Sequence, residues 1–454
     1  MINLKIIKLE KHYNQPLLEN VSVSFAGKGV VALIGDNGCG KSTLLKILAG
    51  EDSPDGGRIE WGYQPRIGYL HQEIDSLPTL SGGQKKVALL SDLIYSYQHD
   101  VLFLDEPDNH LDLENKIWFR NAIKDFDGLV IMISHDRQTL REVTTHTWLV
   151  EERTLRSFPF GYSKFTQAYA QEKETLLHLF HVQQKEHGRL KALVETFRGR
   201  AASGPKAARY FHALEKRLAR FEEDMIKNPT ARDAKITISS HLTGKQIDKK
   251  SAIFIHDLSF SYPDNQVVYQ NARLHLFVGD KVALLSPNGS GKSTLIKLLL
   301  GKLKPRLGQA EIGTNLKVGY YSQEHIESLD GESTPLAIFM SRFPLFDYQV
   351  ENILRKFFFT KQTVKSKISI LSGGQKARLQ LALFLYKNPD VIILDEPTNH
   401  LDIKSIEALE TFLTDFKGTV LLISHDLELI HNTCDKVYEI KDKQIIEISS
   451  DTIH

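Results

Sequence analysis

GDNGCGKST, from Gly35 to Thr43, and SPNGSGKST, from Ser286 to Thr294, are two copies of one glycine-rich sequence in a single chain. The first copy follows an apolar run, Val30 to Ile34, and precedes a helical run, Lys41 to Ala49. A glycine-rich loop between a strand and a helix presents backbone N–H groups to phosphate oxygens, and its lysine adds a positive charge. The sequence therefore predicts an α/β fold with two P-loop nucleotide-binding domains.

Both loops supply candidate residues for binding Mg²⁺ and the nucleotide. Ser42 and Ser293 each offer a hydroxyl to Mg²⁺. Ser286 replaces the first glycine of the pattern, and Cys39 is interpreted as a small loop residue rather than a nucleophile. The candidate nucleotide-binding residues of the two loops are Gly35, Asp36, Asn37, Gly38, Cys39, Gly40, Lys41, Ser42 and Thr43, and Ser286, Pro287, Asn288, Gly289, Ser290, Gly291, Lys292, Ser293 and Thr294.

Three more motifs occur twice in the same order. LSGGQ begins at Leu80 and Leu371, LDEP ends at Pro107 and Pro397, and ISHD surrounds His135 and His425. No single motif would decide the function. Four motifs in the same order, in two copies, are very hard to explain by chance.

The acidic pairs Asp105–Glu106 and Asp395–Glu396 end short apolar runs that are typical of buried parallel strands. The first acid of each pair suits Mg²⁺ binding through a water, and the second suits positioning or deprotonating the attacking water. His135 and His425 also follow strand-like runs and could bond a γ-phosphate oxygen.

These motifs resemble the ATP-binding cassette (ABC) ATPases, in which LSGGQ is the signature sequence. The resemblance implies ATP and Mg²⁺ as cofactors, with each ATP held between the P-loop of one cassette and the signature of the other. Two composite sites follow, and neither needs a partner subunit. In the first site that it implies, Lys41 and Glu106 face Ser372 and Gly374; in the second, Lys292 and Glu396 face Ser81 and Gly83. The resemblance also implies that Gln72 and Gln323 contact Mg²⁺. It further implies that Tyr13 and Tyr262 stack on adenine.

The spacing differs between the two copies. Lys41 to Lys292 and Gln72 to Gln323 are both offsets of 251, whereas Ser81 to Ser372 is an offset of 291. Cassette two therefore has 40 additional residues between the Gln loop, the segment around Gln323, and the signature. That stretch includes a predicted helix from Val350 to Thr360. Cassette one therefore lacks the helical subdomain that ABC cassettes normally build here. We predict that no arm projects from cassette one at this point, and that its signature is tethered almost directly to the Gln loop.

Both cassettes continue with NHLD, at Asn109–Asp112 and Asn399–Asp402, and a long charged linker joins them. These features resemble the ABC-F ATPases, a branch that acts on ribosomes. Cassette one has Asp108 where that branch usually has Thr or Ser, which cassette two keeps as Thr398. We predict cassette one over residues 1–160, the linker over 161–250 and cassette two over 251–454.

Composition agrees with this organisation. The length of 454 residues suggests about three domains, and the 41% hydrophobic content supports two sizeable cores. The formal net charge of the chain is only +1. No apolar run approaches the length of a transmembrane helix, and the N-terminal sequence is unlike a signal peptide. Two cysteines, Cys39 and Cys434, cannot form a disulfide framework, a zinc set or an iron–sulfur set. We expect a reducing cytoplasm and no membrane partner.

The linker is predicted to be a helical hairpin. Its second arm steps by 3 and 4 through Phe211, Leu214, Leu218, Phe221 and Met225, which is a heptad seam. The first arm, roughly 50 Å long, has a matching seam of Leu176, Leu179, Leu190, Leu193 and Phe197, with Gln183 and Glu186 at two further seam positions. The turn between the arms is GRAASGP, residues 199–205.

Charge distinguishes this hairpin from the rest of the chain. Ten Lys or Arg and three Glu between Lys185 and Arg220 give a net charge of +7. A basic tip suits RNA phosphates, whose neutralisation gives salt-dependent affinity without sequence preference. The resemblance to ABC-F proteins implies that the tip reaches the large-subunit RNA and tRNA of the ribosome. The candidate RNA contacts at or near the tip are Lys191, Arg198, Arg200, Lys206 and Arg209.

Three functions remain open at this point. The favoured one is an ABC-F ATPase that regulates translation or protects ribosomes. A tandem ATPase subunit of a membrane transporter would need a separate membrane subunit and leaves the basic hairpin unexplained. A non-catalytic nucleotide-gated scaffold conflicts with intact Lys, Asp, Glu and His in both copies. The sequence does not separate general translation from rescue of stalled ribosomes or antibiotic resistance.

Overall fold

A computed structural model describes residues 2–13, 15–72, 82–96, 98–198, 204–226, 250–263, 266–322, 329–399 and 401–449. The chain divides into two compact units. One holds both cassettes, Met1–Tyr162 with Lys235–His454, and the other is the linker, Ser163–Ala234. Within the described ranges, no helix is both long and apolar enough to cross a membrane.

Cassette one combines two sheets with four helices among its described residues. Its strands are β1 (Asn3–His12), β2 (Pro16–Ala26), β3 (Gly29–Gly35), β4 (Gly56–Trp61), β5 (Ile67–Leu70), β6 (Val101–Asp105), β7 (Leu129–Ile133), β8 (His146–Glu151) and β9 (Thr154–Phe158). Its helices are α1 (Lys41–Ala49), α2 (Gly82–Tyr95), α3 (Leu113–Asp125) and α4 (Arg137–Val143). The predicted P-loop helix, Lys41 to Ala49, is confirmed with the same bounds.

The larger sheet places the motifs. Its order is β5-β6-β7-β3-β8-β9, and all neighbours are parallel except β8 and β9. Every residue of β6 and β7 is buried, as the continuous apolar runs predict. Because parallel strands end at one edge of the sheet, the segments after β3, β6 and β7 meet there, which is where α/β sheets bind ligands.

Cassette two repeats this plan, with β14-β15-β16-β12-β17-β18 as its larger sheet. Its strands are β10 (Ser251–Ser261), β11 (Val267–Phe277), β12 (Lys281–Leu285), β13 (Leu307–Ile312), β14 (Val318–Tyr321), β15 (Val391–Asp395), β16 (Thr419–Ile423), β17 (Lys436–Lys441) and β18 (Gln444–Ile448). The helices α7 (Lys292–Leu299), α11 (Gly373–Tyr386), α12 (Ile403–Asp415) and α13 (Leu427–Thr433) correspond to α1 to α4.

A helical subdomain is inserted before the signature of cassette two. It contains α8 (Pro335–Arg342), α9 (Asp347–Lys356), α10 (Lys361–Val364) and a 3-10 turn at Ile368–Ile370. The single helix predicted from Val350 to Thr360 is corrected, because it begins earlier and ends at Lys356. Phe358 adopts a φ of 63°, which breaks the helix, and the Thr360 side chain caps the next one. In cassette one the corresponding stretch, 73–81, lies outside the described residues.

The linker unit contains two helices, α5 (Tyr162–Arg198) and α6 (Pro205–Glu223). Their side chains pair in antiparallel order: the Gln183 side-chain carbonyl accepts from the Ile226 N–H at 2.9 Å, and the ring of Phe197 meets that of Tyr210 edge-on. The predicted seam is confirmed at Leu190, Phe211 and Leu214, which are buried. It is wrong at Leu179, which is 43% exposed. Residues 199–203 of the predicted turn lie outside the described residues.

Candidate functional site

The two P-loops have nearly the same backbone geometry. In both, the N–H at the fifth position bonds to the carbonyl at the second, Cys39 to Asp36 at 3.2 Å and Ser290 to Pro287 at 3.3 Å. Gly40 and Gly291 adopt φ values of 103° and 110°, and the helix begins at the next residue. The loop amides therefore converge at a helix N-terminus, the usual arrangement for binding phosphate.

The different first residues of the loops have a structural explanation. Gly35 has a φ of 154°, and a Cβ there would lie 2.5 Å from the Val150 carbonyl oxygen. Ser286 does not adopt a positive φ, so cassette two tolerates a side chain at this position. Each lysine donates to this first carbonyl, Lys41 to Gly35 at 2.8 Å and Lys292 to Ser286 at 3.1 Å.

Each acidic pair lies at the end of a strand as predicted, because Asp105 and Asp395 are the last residues of β6 and β15. Glu106 and Glu396 have φ values of 51° and 48°, and their N–H groups both bond across to the end of the neighbouring strand, at Ile133 and Ile423. A left-handed conformation at a residue other than glycine is strained, and such strain concentrates at functional sites. The same strain at both positions indicates that the turn fixes where each glutamate points.

Site one, built on the P-loop of cassette one, is completed by cassette two. A cavity of about 210 Å³ is lined by Lys41, Ser42, Gln72 and Glu106 together with Ser372–Gly374 of the second signature. Gly374 lies so close to Asn37 that an added Cβ would clash with its amide. Lys404 Nζ of cassette two lies 2.8 Å from Asp36 Oδ1. The structure therefore brings Ser372 and Gly374 to the opposite P-loop.

Site two, built on the P-loop of cassette two, has a cavity of about 530 Å³. Its lining includes Lys292, Ser293, Glu396 and His425, along with Asp108–Leu111 and Lys116 of cassette one. Asn288 bonds across the cassettes: its N–H donates to Asp112 at 3.3 Å and its side chain to the His110 carbonyl at 3.1 Å. Ser81 lies outside the described residues, and Gly83 is in the first turn of α2.

Burial changes the ionisation of both glutamates. It raises the pKa of Glu106 to about 7, with a further contribution from the Asp105 charge, and it raises the pKa of Glu396 to about 7 despite the nearby Lys292 charge. Gln72 donates to Glu106 Oε2 at 3.1 Å, and the imidazole Nε2 of His425 lies 3.4 Å from Glu396 Oε1. Carboxylates with a pKa near neutrality are suited to proton transfer.

The two histidines lie beside these glutamates. His135 Nε2 is 3.7 Å from Glu106 Oε1. His425 Nε2 is 2.8 Å from Lys292 Nζ, and burial together with that charge lowers the pKa of His425 to about 3. A neutral imidazole beside the P-loop lysine can accept a hydrogen bond or donate one to a phosphate oxygen.

The residues at site one fit Mg²⁺-ATP. Burial raises the pKa of Asp105, and the nearby Ser42 hydroxyl partly offsets that rise. The buried Oδ1 of Asp105 has no hydrogen-bond partner among the residues that the structure describes. A P-loop serine beside a strand-end aspartate is the pair that holds Mg²⁺ in P-loop ATPases. At site two, Asp395 accepts from the Tyr320 hydroxyl at 3.2 Å, and Gln323 lies outside the described residues.

The predicted adenine-stacking tyrosines differ in their surroundings. Tyr13 is 63% exposed, with Lys11 over its ring and its hydroxyl 3.1 Å from Asp52. Tyr262 lies next to the second P-loop helix, because its hydroxyl is 3.0 Å from that of Thr294. Their role in stacking stays a prediction.

An ion-pair cluster joins the two cassettes beside the sites. Arg137 binds Glu410 through two hydrogen bonds and lies 3.5 Å from Glu428, which also pairs with Arg141 at 2.8 Å. Cassette one supplies the cations of this cluster and cassette two supplies the carboxylates. The cluster was not predicted, and its only signal in the sequence is the cation directly after ISHD in cassette one, where cassette two has Leu427.

The described basic residues of the hairpin tip are all exposed: Lys191, Arg198, Lys206 and Arg209. Arg198 pairs weakly with Glu195 at 3.3 Å, one helical turn earlier. Arg200 lies outside the described residues. The described part of the tip therefore presents positive charge that is available to an external anion.

Comparison with protein families gives matches in all three regions. A family model described as ABC transporter matches residues 18–78 and 269–399. A second model of the same description matches residues 148–238, which include the linker helices.

Curated relatives match over almost the whole chain. The chain is 30% identical to the "Probable ATP-binding protein YbiT" of Escherichia coli O157:H7, covering 96% of this chain and 95% of that protein. It is 29% identical to the "Putative ATP-binding protein YdiF" of Bacillus subtilis, with 99% and 82% coverage. It is 28% identical to "ABC transporter F family member 2" of Arabidopsis thaliana, with 96% and 77% coverage.

Two solved structures share the fold. One is the archaeal ribosome recycling factor aABCE1 in complex with ribosomal stalk protein aP1, with a TM-score of 0.62, 19% identity and coverage of 97% of this chain and 90% of that chain. The other is RNase-L Inhibitor, with a TM-score of 0.58, 18% identity and coverage of 98% and 90%. At these identities the likeness shows the tandem-cassette fold alone.

Proposed function

The chain belongs to the ABC-F family of ATP-binding cassette ATPases, and from that premise we propose that it binds ribosomes through its linker and regulates translation. ATP binding at sites one and two would hold the two cassettes together, and hydrolysis would let them separate. The observation that carries the proposal is the combination of an ATP site built from both cassettes with an exposed basic tip on a helical hairpin.

The chemistry would rest on a few residues at each site. Glu106 and Glu396 are the proposed general bases for the attacking water, since each follows the β-strand whose aspartate would hold Mg²⁺. His135 and His425 would contact the γ-phosphate, and Ser372 and Gly374 would bind it at site one from the opposite cassette. Mg²⁺, when bound, would neutralise developing phosphate charge. Its proposed ligands are Ser42, Gln72 and Asp105 at site one and Ser293, Gln323 and Asp395 at site two.

The linker tip is the proposed RNA contact. Lysine and arginine side chains bind phosphate groups without reading sequence, which suits ribosomal RNA and tRNA. One structural neighbour, aABCE1, is a ribosome recycling factor, and this adds support from a protein of the same fold. A cytoplasmic location follows from this proposal.

The test removes the tip charges and measures ribosome binding. Replacing Lys191, Arg198, Lys206 and Arg209 by Ala should lower the slope of log affinity against log salt by up to about 0.7–0.9 for each phosphate group that is no longer neutralised. Binding would be measured by ribosome sedimentation across a salt series. The protein would carry Glu106→Gln and Glu396→Gln so that ATP remains bound.

The matched control removes the same charge away from the tip. Lys185, Arg189, Lys216 and Arg220 are also exposed and lie farther from the turn along α5 and α6. Their replacement by Ala should change the slope much less. In versions of both variants that keep Glu106 and Glu396, ATPase activity without ribosomes should be unchanged. Equal slopes for the tip variant and its parent would contradict the proposal, and so would equal losses for tip and control.

A further inference from the structure

Lys116 of cassette one lies at the ATP site of cassette two. It is on α3 with a side chain only 11% exposed, and its ammonium is 2.6 Å from Asp136 Oδ2. It also donates to the backbone carbonyl of His425 at 3.4 Å. The same cavity is lined by Lys292, Glu396 and His425. A cation from one cassette therefore contacts the segment that carries the histidine of the other.

Cassette two has a different residue at the position equivalent to Lys116. The offset of 290 that relates His135 to His425 relates Lys116 to Ile406, which is buried in the core of cassette two. The same offset relates Asp108 to Thr398. Cassette one thus has a nearly buried cation and a buried carboxylate where cassette two has a methyl-rich side chain and a hydroxyl.

Packing alone does not explain this lysine. Removing an ammonium group from water is unfavourable unless it is paired and hydrogen-bonded. Here Asp136 supplies the paired charge, and the His425 carbonyl accepts another hydrogen bond across the cassettes. Asp108, fully buried behind them, accepts from the Ser134 hydroxyl. The arrangement is complete only when the cassettes are together, because Lys116 and Asp136 belong to cassette one and the carbonyl to cassette two.

We propose that Lys116 is a positioning residue that sets His425 and Glu396 when the cassettes close, and that site one has no equivalent. The His425 backbone is held from the opposite cassette, while its ring lies between Lys292 and Glu396. A shift of this segment moves the imidazole away from the γ-phosphate position. The proposal rests on the roles proposed above for these ATP-site residues and not on ribosome binding.

The experiment separates the two sites by their glutamates. In a Glu106→Gln background only site two turns over, and in a Glu396→Gln background only site one does. Lys116→Ile, which installs the residue of cassette two, should lower kcat in the first background by about 10-fold to 100-fold, the scale of a misplaced catalytic group. KM for ATP should change less than kcat, because the P-loop is untouched. In the second background kcat should be unchanged.

A second variant tests whether any loss of activity comes from misfolding around an unpaired buried charge. Lys116→Ile leaves Asp136 without its cation, whereas Lys116→Ile with Asp108→Thr removes one charge of each sign and copies cassette two at both positions. It should show the same loss confined to site two, and Lys116→Arg should recover part of it. Lys124→Met is the matched control, since Lys124 is on the same helix and pairs with Glu142 at 2.9 Å.

Three results would overturn the proposal: an equal loss at both sites, an unchanged kcat at site two, or a loss in Lys124→Met as large as that in Lys116→Ile. The glutamate variants are assayed alone first. Wild-type turnover in either of them would refute the assignment of that glutamate, an outcome distinct from any result at Lys116.

Discussion

Cassettes one and two share strand order and P-loop geometry, yet they differ in the charged residues packed near the ATP sites. Where cassette two has Ala377, Thr398 and Ile406, cassette one has Lys86, Asp108 and Lys116. Lys86 is buried and donates to the carbonyls of Glu106 and Asn109. Burial lowers the pKa of Lys86 and raises that of Asp108 to about 6. A shared fold therefore accommodates three uncharged residues in one copy and three charged residues in the other.

Each cassette also contributes different residues to the ATP site of the other cassette. Cassette two, with its helical subdomain, presents Ser372–Gly374 to site one. Cassette one lines site two with Asp108–Leu111 and Lys116. The two sites are thus built from the same motifs but are completed by different side chains. Equivalence in sequence motifs does not make them chemically equivalent.

The largest expected effect tests what the sites have in common. Replacing both Glu106 and Glu396 by Gln should reduce steady-state ATP turnover by about 100-fold to 10,000-fold, the usual loss for a general base. ATP binding, measured by equilibrium dialysis, should persist because Lys41, Lys292 and the loop amides remain. Turnover close to wild type would refute the assignment of both glutamates.

The next effect tests how site one is completed. Gly374→Ala should weaken closure over site one, because the new Cβ would clash with the Asn37 side chain. Overpacking costs about 1–3 kcal/mol, or roughly a 5-fold to 150-fold loss of turnover at that site. Turnover would be measured in the Glu396→Gln background. Gly373→Ala is the matched comparison, since a Cβ there meets no atom within 4 Å. Equal losses in the two variants would refute the proposed close approach of Gly374.

A smaller effect tests the asymmetry directly. Because cassette one is predicted to lack the subdomain that carries a signature, site two is expected to turn over more slowly than site one. Glu106→Gln alone, which disables site one, should then cost more activity than Glu396→Gln alone, by a few-fold. Steady-state ATPase assays of the two single variants, without ribosomes, measure this ratio. Equal activities would mean that the missing subdomain has no catalytic consequence.

The smallest effect concerns stability and pH. The pKa values of Glu106 and Glu396, raised to about 7 by burial, mean that the folded protein holds these protons where the unfolded chain has lost them. The free energy of unfolding without ATP should therefore fall as pH rises from about 4.5 through 7. Each Glu→Gln change should flatten that fall by a similar amount, visible as a few degrees in Tm measured at pH 5 and pH 8. A fall of the same steepness in the variants would show that these groups titrate normally.

Local features were the most predictable from sequence. The P-loop helix has the predicted bounds, and the acidic pairs lie at the ends of buried strands. Both were predictable because the spacing of apolar residues along the chain depends directly on local secondary structure. The hairpin seam was predicted correctly only in part. Leu179 and Phe180 are adjacent apolar residues, and a heptad spacing of three or four residues allows either of them to lie in the seam. In the structure only Phe180 is half-buried. Tertiary packing decides between them.

Contacts between the cassettes were predictable only through the family resemblance, which paired Ser372 and Gly374 with the first P-loop. The buried Lys116 and Lys86 were missed, because a lysine on a helix is normally at the surface. Aligning the two copies of the chain would have shown both, since each lysine stands where the other copy has an apolar residue. Internal comparison is therefore a usable signal for buried charge.

The ion-pair cluster at Arg137 can form only between unlike cassettes. In a symmetric pair, residue i contacts j and j contacts i. Arg137 contacts Glu410, and the same offset of 290 makes Arg120 the counterpart of Glu410. Two copies of cassette one would set Arg137 of each against Arg120 of the other. Two copies of cassette two would leave Glu410 facing Leu427. Neither pair of identical cassettes would therefore contain this ion-pair cluster.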